Sequence, residues 1–136
     1  MLMDPVEEPE LADRILEIPF RYHLAAAKRL VEMGVDMIWT GDDFGAQNGM
    51  IISPRTWRVF FKPRMAEFIS MLKSINRDVK VAYHSDGNIE PIILEFIEIG
   101  LDVLNPIQPT SMLPAKLKIR FRSERLKTSG QRCWTG

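Results

Sequence analysis

The sequence predicts an α/β fold built from parallel β/α units. Helical and strand patterns alternate along the chain, which is the grammar of such units. The strands lie roughly 20–45 residues apart, enough for right-handed helical crossovers. The polar residues of chemical interest fall just after the strands, where ligands gather in parallel sheets.

Taken in order, residues 4–18 hold clustered acids and then Leu11, Ile15, Leu16 and Ile18 at helical spacing. Pro19 lacks an N–H donor and is expected to interrupt this helix or start the next. Phe20, Leu24, Ala27 and Val31 continue a helical period, and Gly34 supplies the stop. Residues 35–40 are short, apolar and β-rich, and predict a buried strand. The loop from Gly41 to Ile52 shows no helical period. Ser53-Pro54 pairs an N-cap hydroxyl with proline at the first helical position. Trp57, Phe61, Met65, Phe68 and Leu72 then line one helix face, with a mild kink expected at Pro63. A second strand is predicted over 79–84, a short helix over 89–99 closed by Gly100, a third strand over 102–105 and a helix over 114–121.

With 136 residues and 46% hydrophobic content the chain can form a core. It is too short for an eight-unit β/α barrel of at least ~200 residues. Its formal net charge is zero, so no global positive field recruits nucleic acid or an anionic membrane. No apolar run reaches the ~18 residues of a membrane span, and a cytoplasmic protein is expected. Charge is unevenly spread: residues 1–20 carry six acids against one base, and residues 114–136 seven bases against one acid. Residues 122–136 are expected to be a basic tail without regular structure, following a single unit over 1–121. The lone cysteine, Cys133, lies in that tail and makes neither a disulfide nor a cysteine-based metal site by itself.

The candidate site residues follow from strand ends: Asp42, Asp43 and Gln47 after the first strand, His84, Asp86 and Asn88 after the second, Asn105 and Gln108 after the third. Asp42 or Asp43 could cap a turn or face a ligand, and Asn88 could cap the helix at 89–99 or touch substrate. Asn105 and Gln108 could bind substrate or satisfy backbone groups. His84, two residues from Asp86, has the spacing of a metal or substrate contact. Gly41, Gly45 and Gly49 recur every four residues, a weak match to a phosphate loop.

The stretches Gly-Asp-Asp-Phe-Gly-Ala-Gln-Asn-Gly (41–49), Ile-Ser-Pro (52–54), Tyr-His-Ser-Asp-Gly-Asn (83–88) and Leu-Asn-Pro-Ile-Gln-Pro (104–109) together resemble the uroporphyrinogen decarboxylase superfamily. The resemblance spans roughly residues 4–121. It implies a partial (β/α)8 barrel segment with about three parallel strands, and three or four of the family's eight units. The superfamily holds the haem-pathway decarboxylase and the corrinoid-dependent methyltransferases. In the methyltransferase branch a His-x-Cys-Gly-Asn stretch supplies zinc ligands; here the matching residues are His84 and Asp86, with aspartate in place of cysteine.

The resemblance therefore implies zinc at His84 and Asp86, catalytic roles for Asp42, Asp43 and His84, and substrate contacts from Gln47, Asn88, Asn105 and Gln108. Corrinoid-dependent methyl transfer is the expected activity of the parent family branch, with a corrinoid protein as partner. Uroporphyrinogen decarboxylation is the alternative, with a tetrapyrrole-type substrate. A third expectation is a chain altered near residue 122 and inactive until it meets a missing barrel segment or a second copy as a homodimer.

Overall fold

In the computed structural model the described residues are 7–120 and 127–128. A long helix α1 (Pro9–Glu32) leads into strand β1 (Met37–Gly41). A two-residue hairpin follows, β2 (Gly45–Ala46) and β3 (Gly49–Met50). Helices α2 (Pro54–Phe60) and α3 (Lys62–Ile75) cross over to β4 (Lys80–His84). A 3-10 turn (Glu90–Ile92) and α4 (Ile93–Glu98) cross to β5 (Val103–Asn105), and α5 (Pro114–Arg120) follows. A last strand, β6 (Lys127–Thr128), closes the order β1-β4-β5-β6, with every pair parallel.

This is the expected α/β architecture, with the three predicted parallel strands at its centre, and it is consistent with a segment of a β/α barrel. Of the expected basic tail only Lys127–Thr128 is described, as a strand; the rest of 122–136 lies outside the described residues, as do residues 4–6 of the first predicted helix.

The two faces of the sheet differ. Ile38 pairs with Val81, Thr40 with Tyr83, and Tyr83 with Leu104, so these residues share one face. Ile38, Val81, Tyr83 and Leu104 are buried there in one cluster with Trp57, Phe68, Leu72 and Phe96 of the helices. Phe96 is its aromatic hinge, 4.8 Å from Tyr83 and 5.0 Å from Trp57 between ring centroids. On the opposite face Met37 and Trp39 are exposed on β1, and His84 and Asn105 reach the rim.

The apolar stripe predicted from Trp57 to Leu72 is indeed core, but it is carried by two helices. The expected mild kink is a break at Phe61 instead. Pro63 then falls in the first turn of α3, where a missing N–H is harmless. Ser53 caps α2 as expected, its Oγ accepting from the Thr56 N–H at 3.0 Å.

At Pro19 the expectation of a break is corrected: α1 runs through it unbroken. An interior proline costs about 3 kcal/mol in an isolated helix, and here tertiary contacts hold both sides of it. Arg64 of α3 reaches Asp13 Oδ1 (2.9 Å), the Asp13 carbonyl (3.1 Å) and Glu17 Oε2 (3.0 Å), and also donates to the Phe60 carbonyl at 2.8 Å. Beyond the proline, Arg21 pairs with Glu67 at 2.8 Å. Both halves of α1 are thereby fastened to the same helix.

A second ionic clamp joins α2 and α3 to α4. Glu95 accepts from Arg58 (2.8 Å) and Lys62 (2.9 Å). Burial pushes the Glu95 carboxyl up, but Lys62 and Arg58 outweigh it and hold it below its ordinary value. No helix among the described residues is long and apolar enough to cross a membrane.

The Arg64 side chain is only 14% exposed, so its loss is not a surface effect. Arg64→Ala should destabilise the chain by about 2–3 kcal/mol, from several charged hydrogen bonds and lost packing. Urea unfolding would register this as a lower midpoint at unchanged m.

Candidate functional site

Three strand ends meet at one rim. The β1–β4 ladder continues one step past β1, with the Asp42 N–H on the His84 carbonyl at 3.1 Å. The β4–β5 ladder does the same, with the Ser85 N–H on the Asn105 carbonyl at 2.9 Å. The side chains that follow these last rungs are therefore placed by main-chain bonds.

Glycines let the loops come close enough. A Cβ on Gly41 would strike the His84 backbone, one on Gly45 the backbone of Asp86 and Asn88, and one on Gly87 the backbone of Gly45. Gly87 also sits at φ +74°, a left-handed conformation that favours glycine. The exit loops of β1 and β4 thus cross with bare backbone on bare backbone. The Asn88 N–H donates to the Ala46 carbonyl at 2.8 Å across this crossing. The fully buried Ser85 adds a second tie, its Oγ accepting from the Phe44 N–H at 3.0 Å.

The crossing brings Asp43, His84 and Asp86 together, with one ligand atom from each all within 4.8 Å of one another. His84 Nε2 lies 3.8 Å from Asp43 Oδ1 and 3.8 Å from Asp86 Oδ2. His84 and Asp86 are each oriented from behind, and Asp43 is tied to the Asp86 main chain. His84 Nδ1 meets Asn105 Oδ1 at 3.3 Å; with Nδ1 as the donor, the Nε2 lone pair would face the carboxylates. Asp86 Oδ1 accepts from Gln108 Nε2 at 2.8 Å, which leaves Oδ2 facing His84. Gln108 is itself fixed, its Oε1 accepting from the Gly87 N–H at 3.0 Å. Asp43 Oδ1 accepts from the Asp86 N–H at 3.0 Å.

One nitrogen and two carboxylate oxygens in this arrangement suit a divalent cation such as zinc or manganese. With two oxygens and one nitrogen, the set is harder than a cysteine-containing zinc site. An open cavity of about 530 Å³ lies beside the cluster, lined by Trp39, Thr40, Gly41, Asp42, Asp43 and His84.

Asp42 is placed differently from its neighbour. The residue is exposed at the rim, yet the protein packed around its carboxyl pushes it above the ordinary value; the His23 charge pulls it partly back and the Asp43 charge pushes it up again. Tyr83 behind it is buried, and its hydroxyl has no hydrogen-bond partner within normal geometry. Burial first, and then the Asp42 charge, drive that phenol far above its usual pKa.

Of the eight residues expected at the rim, Asp43, His84, Asp86, Asn105 and Gln108 form one connected group, and Asp42 lines the cavity next to it. Asn88 accepts from the Glu90 N–H at 3.1 Å and so starts the 3-10 turn. Gln47 lies in the exposed turn of the β2–β3 hairpin, with no hydrogen bond to the cluster. The every-fourth glycines serve close backbone approach at Gly41 and Gly45. Sequence reasoning missed Ser85, Trp39 and Tyr83. Strand alternation could have placed Trp39 on the His84 face; nothing local marked Ser85 as buried.

Two predictions follow from this geometry. Gly87→Ala should lose about 2–4 kcal/mol of stability, combining a left-handed residue with a backbone collision, and thermal denaturation would show it. The second concerns Asp42. A carboxyl raised on folding stabilises the fold while protonated, and that contribution is lost as pH rises through its folded pKa. Because Asp42 is exposed at the rim, solvent screening keeps the effect small: Asp42→Asn should raise the melting temperature slightly near pH ~7 and leave it unchanged near pH ~3, where both states are protonated. An equal shift at both pH values would contradict a charge origin.

Comparison with known proteins agrees with the motifs: the family model described as uroporphyrinogen decarboxylase (URO-D) matches residues 1–123. No curated protein and no solved structure matches the chain.

Proposed function

The chain belongs to the uroporphyrinogen decarboxylase family, and from that premise we propose that its rim is a metal-dependent group-transfer site of the kind used in corrinoid-dependent methyl transfer. The observation that carries this reading is the Asp43, His84, Asp86 group, with Asn105 behind His84, Gln108 behind Asp86 and Asp43 tied to the Asp86 main chain. Polar residues that merely terminate strands have no need of such a second layer. Metal ligands do, because a ligand held in one tautomer and one rotamer binds with less ordering entropy.

In this reading Asp43, His84 and Asp86 hold the ion. A divalent cation there would lower the pKa of a thiol or water and polarise a group placed beside it. Asn105 holds the His84 ring in the tautomer that frees Nε2, and Gln108 holds Asp86. Asp42 lines the cavity beside these ligands and would orient a substrate there. Trp39 lines one wall of this open cavity and offers a flat apolar surface for a ligand to lie against. The other partner in such chemistry would be a corrinoid protein presenting its cofactor at the rim.

Decarboxylation of a uroporphyrinogen is the second reading, and one observation favours it. A carboxyl raised above its ordinary value at Asp42 ionises less readily, which eases the repulsion that two adjacent acids exert on a polyacidic tetrapyrrole. That chemistry calls for substrate binding without a metal.

A metal titration separates the two. Zinc or manganese in competition with a chromogenic chelator should bind one ion per chain, and His84→Ala should abolish that binding. Asn105→Ala and Gln108→Ala should weaken it about 10–100-fold, as removal of an orienting partner does. Absence of stoichiometric metal, with tight metal-free porphyrinogen binding, would overturn the methyl-transfer reading in favour of decarboxylation.

A further inference from the structure

Helix α1 carries two apolar stripes where one would serve a surface helix. The inner stripe, Ala12, Leu16, Phe20, Leu24, Ala27 and Val31, is buried or half-buried against the rest of the fold. The outer one, Leu11, Ile15, Ile18, Tyr22 and Ala25, lies about 165° around the helix from it. Its spacing is four, three, four and three, the repeat of a coiled-coil seam. It is open to solvent: Ile18 is 76% and Tyr22 73% exposed. Four turns of aligned, exposed apolar side chains are more than scattered surface residues and mark an interaction surface.

The charges at the two ends of this helix say what covers it. Glu7, Glu8 and Glu10 crowd its start; its end carries Lys28 and Arg29 with a single acid, Glu32, 3.9 Å from Lys28, and stays net positive. A parallel pair of such helices would set acids against acids and bases against bases. An antiparallel pair centred near Ile18 sets Glu7 and Glu8 of one copy against Lys28 and Arg29 of the other, at both ends. The same register lays Ile15 beside Tyr22 and Leu11 beside Ala25. Arg14 then approaches Arg21 of the other copy, whose charge Glu17 and Glu67 already balance. Opposed helix dipoles favour the same orientation. We propose that α1 is a dimer interface, packing along its outer seam against α1 of a second copy of this chain in an antiparallel pair. The metal reading of the rim is independent of it.

Analytical ultracentrifugation of the full chain tests this. The chain should sediment as a dimer at about 100 µM, and the dimer should weaken as salt screens its ends. Ile18→Glu should give a monomer with unchanged helical circular dichroism, and Tyr22→Lys should do the same. Lys28→Glu with Arg29→Glu in one chain, or Glu7→Lys with Glu8→Lys in another, should each raise the dissociation constant about tenfold or more. Mixing those two variants should restore pairing, because every end then meets its opposite. A monomeric wild-type chain, or a dimer that survives Ile18→Glu and Tyr22→Lys, would overturn the proposal, as would a failure of the mixed charge variants to pair.

Discussion

The rim depends on one backbone contact, the crossing of Gly45 against Gly87. Any side chain at either position would push apart the loops that leave β1 and β4. Those loops carry Asp43 and Asp86, so the spacing of the carboxylates about His84 is set by atoms that belong to no ligand. Main-chain bonds make the contact rigid, with Asp42 on His84, Ser85 on Asn105 and Asn88 on Ala46. Ser85 then fills the only buried polar side chain position among the described residues and ties Phe44 down. Because backbone positions are fixed by sheet register, the site inherits the stiffness of the sheet. This is how a cluster made from loops can still meet the sub-ångström tolerance that ligand binding needs.

Below the rim, the fold is stabilised asymmetrically. The helix-covered face of the sheet is a packed aromatic and aliphatic core around Phe96, Tyr83 and Trp57. The other face carries Met37 and Trp39 into the open on β1 and delivers His84 and Asn105 to the site. The same division places chemistry on one side and stability on the other. Ionic clamps on the helix layer, at Arg64 and at Glu95, act far from the rim and leave its charge balance to Asp42, Asp43, His84 and Asp86.

Much of this was legible in the sequence, and the failures have physical causes. The three central strands fell within two residues of their predicted bounds because short apolar runs ending in glycine or polar residues have few other uses in an α/β chain. The rule that polar residues at strand ends share a rim then found five members of the connected group. Pro19 was misread because a local rule treats a helix as isolated, whereas Arg64 and Arg21 fasten both sides of it. The β2–β3 hairpin was invisible, since two-residue strands leave no alternation to detect. Sequence also could not rank Asp42 against Asp43. Adjacent acids point different ways, and only the loop crossing decides that Asp43 meets His84 while Asp42 turns toward Tyr83.

The proposal that Asp43, His84 and Asp86 form one metal site rests on a donor set of one imidazole nitrogen and carboxylate oxygens, with no sulfur. X-ray absorption spectroscopy at the zinc edge, on the zinc-loaded full chain, addresses it directly. The account predicts one imidazole nitrogen and at least two oxygens at about 2.0–2.2 Å, with no sulfur shell. A sulfur shell near ~2.3 Å, which would implicate Cys133, or a spectrum lacking imidazole, would contradict it.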